Sequence, residues 1–597
     1  MLLIGVLIAL VASINALRFS SQAATPLVQA DAWFFVEHFV SKYLDGTLTF
    51  SDLFIQRGAG DHAQPLQKLI LLWHTHYFGM DFRIEGIIGT LAGIVFCCLI
   101  ALPLALRNAA DKHTAALQSV LIGMLFALAL SLNATNIYTW PLVTLGFVVL
   151  AAAAGLIFLM LGTRVGRHPA ITLVLAFVLG MLTDEQGVIF ATALVIGMLL
   201  FDPRSLRARV HSSIAIMLGI IASRLLFAWL AQRHDISSEA LEAGAPLADL
   251  LKLPDVLNAA GIPLGDSLLH RAHWDQAGPH QPWLRWGSIA IAAIMHLWVW
   301  LSLLRLRLQG RRDIRLVMVV ALMLTSYAIL LGIVVNRVGQ FGWDYLHQPR
   351  YVFYYQLSWL AALILMHQRL GDSPQRPALT SPLWIAAIIM TLVLAGVQVH
   401  VSRKAWQMAP YLADYWSNAA IKMEEIRVDP QARTDNCPDI LTACHYAPEH
   451  RIQVIGLLAE HRLNIYSPEF QQRNTWLSPP ADGEGTPRVT SNAAESRAIK
   501  STNGMLTVHH AVIDMCEVPN GVVSSLVSWN ASATGTEGTQ VWLKEPGKNA
   551  VLWSEAGAVF ESTTGQWLRN GSEVILINAQ DKRELARVSI TARPCRR

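Results

Sequence analysis

Eleven apolar runs fill the first 400 residues of this chain, near 1–17, 86–106, 114–132, 141–162, 170–182, 187–201, 212–230, 286–304, 315–335, 351–366 and 382–400. No other feature restricts the fold as strongly. In hydrocarbon, every backbone N–H and C=O must be paired within its own segment, so runs of this kind cross a bilayer as helices. Several fall short of the roughly 20 residues of a perpendicular span. The pair flanking Thr183 to Gly187 reads as a tight helical hairpin or a re-entrant segment. Only 15% of residues are charged, against about a quarter in soluble chains. Charged and polar residues return after residue 400.

Basic residues give the runs an orientation. The loops 107–113, 163–169, 202–211, 305–314 and 367–381 hold thirteen of them: Arg107, Lys112, Arg164, Arg167, Arg204, Arg207, Arg209, Arg305, Arg307, Arg311, Arg312, Arg369 and Arg376. The alternate short loops 133–140, 183–186 and 336–350 hold only Arg337 and Arg350. Cytoplasmic loops carry such an excess. The N-terminus is therefore expected inside, with loops 18–85 and 231–285 and everything after residue 400 outside. In a bacterium this is a multi-pass inner-membrane protein with a periplasmic C-terminal domain. A small-residue site near Ala23 and Ala24 leaves cleavage of the first segment open. An uncleaved first helix keeps the odd number of spans that exports the C-terminus. The net charge of +4 reflects these loops and does not point to nucleic acid.

The expected fold class is a polytopic α-helical membrane protein of about eleven transmembrane helices, with a C-terminal α+β domain containing a β-sandwich. Residues 1–400 form the membrane domain, 401–500 a helical segment and 501–597 the sandwich. Within loop 18–85, residues 31–45 and 65–78 combine apolar faces with Trp, Tyr, His and Lys, the pattern of interfacial amphipathic helices. Loop 231–285 mixes Leu-rich stretches with Pro and Gly, as a segment folded on the membrane surface would. Helices are expected at 403–427 and 448–463. Strands follow at 505–515, 522–529, 539–544, 550–553, 573–578 and 584–592, separated by turn clusters such as Asn570-Gly571-Ser572.

The six cysteines divide into two groups. Cys97 and Cys98, inside an apolar run, read as inert core residues. Cys437, Cys444, Cys516 and Cys595 lie in the exported part, where four cysteines suggest two disulfides; a cytosolic domain would keep them as thiols.

Four places carry candidate chemistry. Asp31, soon after the first helix, has the position of a general base on an acceptor hydroxyl or of a helix N-cap. Asp61 and His62, in a glycine-loosened loop before Pro65, form an acid–imidazole pair suited to acceptor binding or proton transfer, or cap the next helix. His74 and His76 have no further ligands and read as interfacial. Asp184 and Glu185 sit between two apolar runs, where carboxylates need water or a partner; Arg224 is the candidate partner, or a ligand for a lipid phosphate. Residues 336–355 gather Arg337, Trp343, Asp344, Tyr345, His347, Arg350 and Tyr351. Aromatics stack on sugar rings and arginines bind phosphate; an aromatic belt with snorkelling arginines uses the same residues.

An inside N-terminus, an acid after helix one, a long first outer loop, about eleven spans and an exported C-terminal domain together resemble the GT-C superfamily of membrane glycosyltransferases. The stretch Asp61-His62-Ala63-Gln64-Pro65 resembles a short acid–histidine motif of bacterial members, and Pro349-Arg350-Tyr351 resembles their Arg-Tyr at the start of a late helix. The resemblance implies a polyprenyl-phosphate-linked sugar as donor, a glycan or lipid as acceptor, and transfer at the outer face. It makes Asp31 the base, gives Asp61 and His62 to the acceptor, and Arg224 or Arg350 to the donor phosphate. Asp184, Glu185, Trp343 and Tyr351 complete the expected substrate contacts. No cofactor is required, though a divalent cation remains compatible. Membrane lipids are the other expected partners. The rival reading is a transporter or flippase using Asp184, Glu185 and Arg224 as a charged path, although no matched halves are visible. A non-catalytic glycan-assembly subunit is the third.

Overall fold

A computed structural model describes residues 2–56, 63–106, 112–140, 145–162, 168–232, 234, 253–275, 280–371, 382–429, 448–475, 498–515, 522–523, 525–536, 538–546, 550–564 and 568–594. By internal contacts the chain forms two units. One comprises Met1–Ala24, His38–His74 and Phe82–Gln407; the other comprises Thr25–Glu37, Thr75–Asp81 and Met408–Arg597.

The first unit is helical: α1 (Leu2–Ala23), α2 (Pro65–Phe78, its last turn in the second unit), α3 (Phe82–Ala105), α4 (Lys112–Ala129), α5 (Leu145–Gly162), α6 (Pro169–Leu182), α7 (Glu185–Phe201), α8 (Leu206–Ala231), α9 (Leu253–Leu268), α10 (Gln281–Leu308), α11 (Ile314–Ile333), α12 (Pro349–Gly371) and α13 (Pro382–Val428, in the second unit from Met408). Seven of these, α1, α3, α4, α8, α10, α11 and α13, are long and apolar enough to cross a membrane, and the chain is a multi-pass membrane protein. The remaining apolar runs fall on the shorter helices α5, α6 and α7 and on α12, whose side chains are nearly all buried. Helix starts follow local chemistry. Ser205 accepts a hydrogen bond from Ala208 N–H, Asp313 accepts one from Arg315 N–H, and Pro169 opens α6.

Without water to expel between them, membrane helices associate by close packing at small residues. A Cβ on Gly219 of α8 would lie 2.5 Å from the Leu173 carbonyl of α6, and one on Gly197 of α7 would lie 2.8 Å from the Val317 carbonyl of α11. Gly5 of α1 and Gly123 of α4 bring their helices equally close. Successive helices reverse direction, so residues 38–74, the 183–184 turn, the end of α8, residues 253–275 and residues 334–349 gather at one end of the bundle. This is the loop end of the bundle. Cys97 is buried as expected, but Cys98 faces outward from α3 and is exposed.

The stretch 31–45 is helical with a π turn at Val36–Val40. Its Trp33, Phe34, Phe35, Phe39 and Val40 are buried, so it does not present its apolar face as a surface helix would. Helix 403–427 is the continuation of the last apolar run. Residues 382 to 428 form one helix of 47 residues, because no turn residue interrupts them and Pro410 is accommodated within the helix.

Among its described residues the second unit adds α14 (Pro448–Glu460) and twelve short strands: β1 (Ile499–Lys500), β2 (Leu506–Val508), β3 (Val512–Asp514), β4 (Val522–Val523), β5 (Leu526–Asn530), β6 (Gly538–Lys544), β7 (Val551–Gly557), β8 (Val559–Thr563), β9 (Leu568–Arg569), β10 (Glu573–Asn578), β11 (Glu584–Ser589) and β12 (Thr591–Arg593). They build two four-stranded sheets, ordered β1-β2-β5-β8 and β11-β10-β6-β7, and two small pairs, β12-β3 and β4-β9. Alternate residues of both larger sheets share one core, with Val508, Val527 and Trp529 from one and Val541, Leu543, Val574, Leu576 and Val588 from the other. The expected strands 505–515 and 584–592 each divide in two where the chain changes partner: β2 pairs with β5 and β11 with β10, while β3 and β12 pair in parallel with each other. At Asn570-Gly571 the chain turns into β10, with Gly571 at φ 81°, a conformation that favours glycine.

The early segments of this unit are tied to its helical part by buried polar groups. Asn464 donates to the carbonyls of Pro26 and Met80, at 3.0 and 2.7 Å. Asp81 accepts from Arg473 and Asn474, and Glu37 pairs with His450 at 2.6 Å.

Candidate functional site

Two polar constellations stand at the loop end of the first unit. The first is centred on Lys68 of α2. Gln67, Lys68, Leu71, His74 and Thr75 occupy one face of this helix and all are buried, so the Lys68 stem follows its apolar neighbours inward. Its ammonium then meets the end of the 3₁₀ turn Phe50–Phe54 and donates to the carbonyls of Leu53 at 3.0 Å and Ile55 at 2.6 Å. The Phe39 ring lies 5.4 Å from it. Burial depresses the Lys68 pKa to about 7, against the upward pull of Asp184 and Asp52.

Asp52 is itself buried. It accepts from Lys42 Nζ at 2.6 Å and from the Thr49 N–H and hydroxyl at 2.6 Å each. Burial raises its carboxyl pKa, but these bonds outweigh burial and hold it below the usual value. His234 approaches Asp52 to 3.7 Å. From the turn between α6 and α7, Asp184 accepts the Gln64 N–H at 3.2 Å. Arg224 meets the neighbouring Glu185 at 3.5 Å, both partly exposed, and stacks on Phe227. An ion pair of that exposure is worth about 0–1 kcal/mol, and Arg224 Nη1 is buried without a hydrogen bond. An apolar cluster of Phe54, Ala63, Met181, Phe227 and Leu230 holds these segments together. Asp184, Glu185 and Arg224 therefore do assemble, together with Lys42, Asp52, Lys68 and His234, which the sequence reading did not single out. The available sequence signal for Lys68 was a lysine in register with the apolar face of an amphipathic helix.

The second constellation surrounds residues 343–351. Arg350, at the first turn of α12, is half-buried. Its guanidinium carbon lies 5.4 Å from the Trp140 ring, 5.5 Å from Tyr345 and 5.2 Å from Tyr351. It donates to the Tyr345 hydroxyl. Among the described residues it has no carboxylate partner, and its Nε is buried without a hydrogen bond. Trp343 donates to Asp255 at 2.8 Å, and Asp344 pairs with Arg271 at 2.9 Å. Fully buried Asp266, on α9, accepts from His347 Nδ1 at 2.7 Å. The first turn of α3 borders the first constellation, where Glu85 accepts from Gln67 at 2.5 Å, and a Cβ on Gly86 would lie 3.1 Å from the Tyr138 carbonyl, two residues before Trp140.

The other expected residues lie elsewhere. Asp31 belongs to the second unit and makes no side-chain cap to the helix it precedes. His74 is buried inside the first unit, 3.6 Å from Glu85, and is not interfacial. Asp61, His62, Cys437, Cys444, Cys516 and Cys595 lie outside the described residues. Among those described, no three His, Cys, Asp or Glu side chains group as metal ligands. Comparison with protein-family models, with curated proteins and with solved structures gives no match.

Proposed function

We propose that this chain is a membrane glycosyltransferase of GT-C type, moving a sugar from a polyprenyl-phosphate carrier to a glycan or lipid acceptor. In this reading all eleven apolar helices span the bacterial inner membrane, the loop end faces the periplasm, and the exported β-sandwich binds the glycan. The observation that carries the reading is Arg350, a cation walled by Trp140, Tyr345 and Tyr351 with an unpaired Nε and, among the described residues, no acid paired with it. A guanidinium in that setting matches a phosphate oxyanion, and the rings match the apolar face of a sugar. Departure of a phosphate asks for cationic support and a dry pocket, with one base for the incoming hydroxyl. Arg224 supplies further positive charge at the same end. The resemblance assigns the base to Asp31 and the acceptor to Asp61 and His62.

The transporter reading gains less. A charged path needs groups along the length of the bundle, whereas Asp184, Glu185 and Arg224 cluster at one end with Lys68. The test is mass spectrometry of lipids that co-purify with the full chain. A polyprenyl-phosphate sugar is expected with the wild type and depleted at least tenfold with Arg350→Ala. Equal lipid content in the two proteins would remove Arg350 from donor binding.

A further inference from the structure

The function above leaves one buried dyad unused. Asp266 is wholly buried near the end of α9. One of its oxygens accepts the Arg271 N–H at 3.1 Å and the other meets His347 Nδ1 at 2.7 Å. A carboxylate only accepts, so Nδ1 carries the hydrogen and Nε2 keeps its lone pair. The surroundings hold this arrangement in place. His270 donates from Nε2 to the His347 carbonyl at 2.5 Å and accepts the Ala272 N–H on its own Nδ1. Asn133 receives the His270 N–H and donates to the Asp266 carbonyl. The edge of Trp274 packs against the His347 ring. His347 Nε2 makes no hydrogen bond among the described residues, and the side chain is 11% exposed. It stands three residues before Arg350, at the junction into α12. A buried acid that fixes the tautomer of a histidine whose second nitrogen is free is the arrangement of a general base.

We propose that His347 is the base of the transfer and Asp266 its positioning residue. This rests on the glycosyltransferase reading for its substrate and differs from it in the base, which the resemblance would place at Asp31. In the step, the acceptor hydroxyl oxygen attacks the anomeric carbon and gives its proton to His347 Nε2. The bond from that carbon to the phosphate oxygen breaks, and the lipid phosphate leaves with the electron pair beside Arg350. Asp266 stabilises the imidazolium, which then returns its proton to water. Atoms and charge balance without an added reagent.

The test uses the full chain in nanodiscs with ¹⁵N-labelled histidine, the His347 signals being assigned by their loss in His347→Gln. Undecaprenyl phosphate is the probe, and its binding is quantified separately by co-sedimentation. Three results are expected. Nδ1 is protonated and Nε2 bare in the wild type. The Asp266→Asn variant populates the opposite tautomer. Bound undecaprenyl phosphate shifts the Nε2 signal, and Arg350→Ala abolishes that shift. A protonated Nε2 in the wild type would overturn the dyad whatever the protein's function. A bare Nε2 that does not respond to bound lipid would overturn the base assignment while leaving the lipid-phosphate reading standing. No binding of the lipid at all would instead defeat the underlying reading, and the catalytic role with it.

Discussion

Lys68 holds a charge in a place that water does not reach. Burial pushes its amine down to about 7 in the folded chain, from the ordinary lysine value of 10.5. Between those values the unfolded chain binds more protons than the folded one, so stability rises with pH through that window. Below it, the folded chain keeps the penalty of a buried ammonium. Replacing Lys68 with Met removes both the penalty and the hydrogen bonds to Leu53 and Ile55. The thermal midpoint of the wild type should therefore gain on that of Lys68→Met as pH rises from 7 to 9, in detergent at fixed ionic strength. A constant difference over that range would mean that Lys68 titrates normally. At this same scale the sequence was only partly legible. Asp184, Glu185 and Arg224 were visible because charge is conspicuous between apolar runs. Lys42, Asp52 and Asp266 were not, because a lone charged residue in a polar loop looks the same whether it is solvated or buried against a partner from a distant segment.

At the scale of elements, hydropathy located the helices well because backbone pairing in hydrocarbon leaves so few alternatives. It could not show which helices touch. That depends on where small residues fall on each surface, and Gly219 illustrates it: a glycine amid Leu and Ile is unremarkable until the Leu173 carbonyl is found 2.5 Å from where its Cβ would be. Gly219→Leu should separate α6 from α8 and lower stability by about 1–3 kcal/mol, read as a lower melting midpoint of the purified chain. An unchanged midpoint would show that this crossing relaxes freely. The strand region was legible in its turns, such as Asn570-Gly571, but not in its pairing. Residues 505–515 and 584–592 look continuous, and only the partner exchange to the parallel β3-β12 pair divides them. The β8 strand, Val559–Thr563, was missed because it follows β7 after a single residue with little turn chemistry between them.

For the whole molecule, two units are woven from one chain, since Thr25–Glu37 and Thr75–Asp81 join the C-terminal residues. Sequence order suggested a simple division near residue 400. It hid the weaving because contacts such as Asn464 to Pro26 and Arg473 to Asp81 join residues hundreds of positions apart. Residues 18–85 thus contribute to both units, with Asp52 and Lys68 in one and Asp31 in the other. We propose that the loop end of the membrane unit cleaves a lipid-phosphate sugar with Arg350 holding the phosphate. The most direct measurement is release of free polyprenyl phosphate from a native lipid extract by the purified chain, compared with Arg350→Ala and Arg350→Lys. Release by the wild type, loss by at least a hundredfold in Arg350→Ala and only slight rescue by Lys, which lacks the guanidinium fork, is the result predicted. Carrier lipid that stays intact, or equal release by all three proteins, would contradict it.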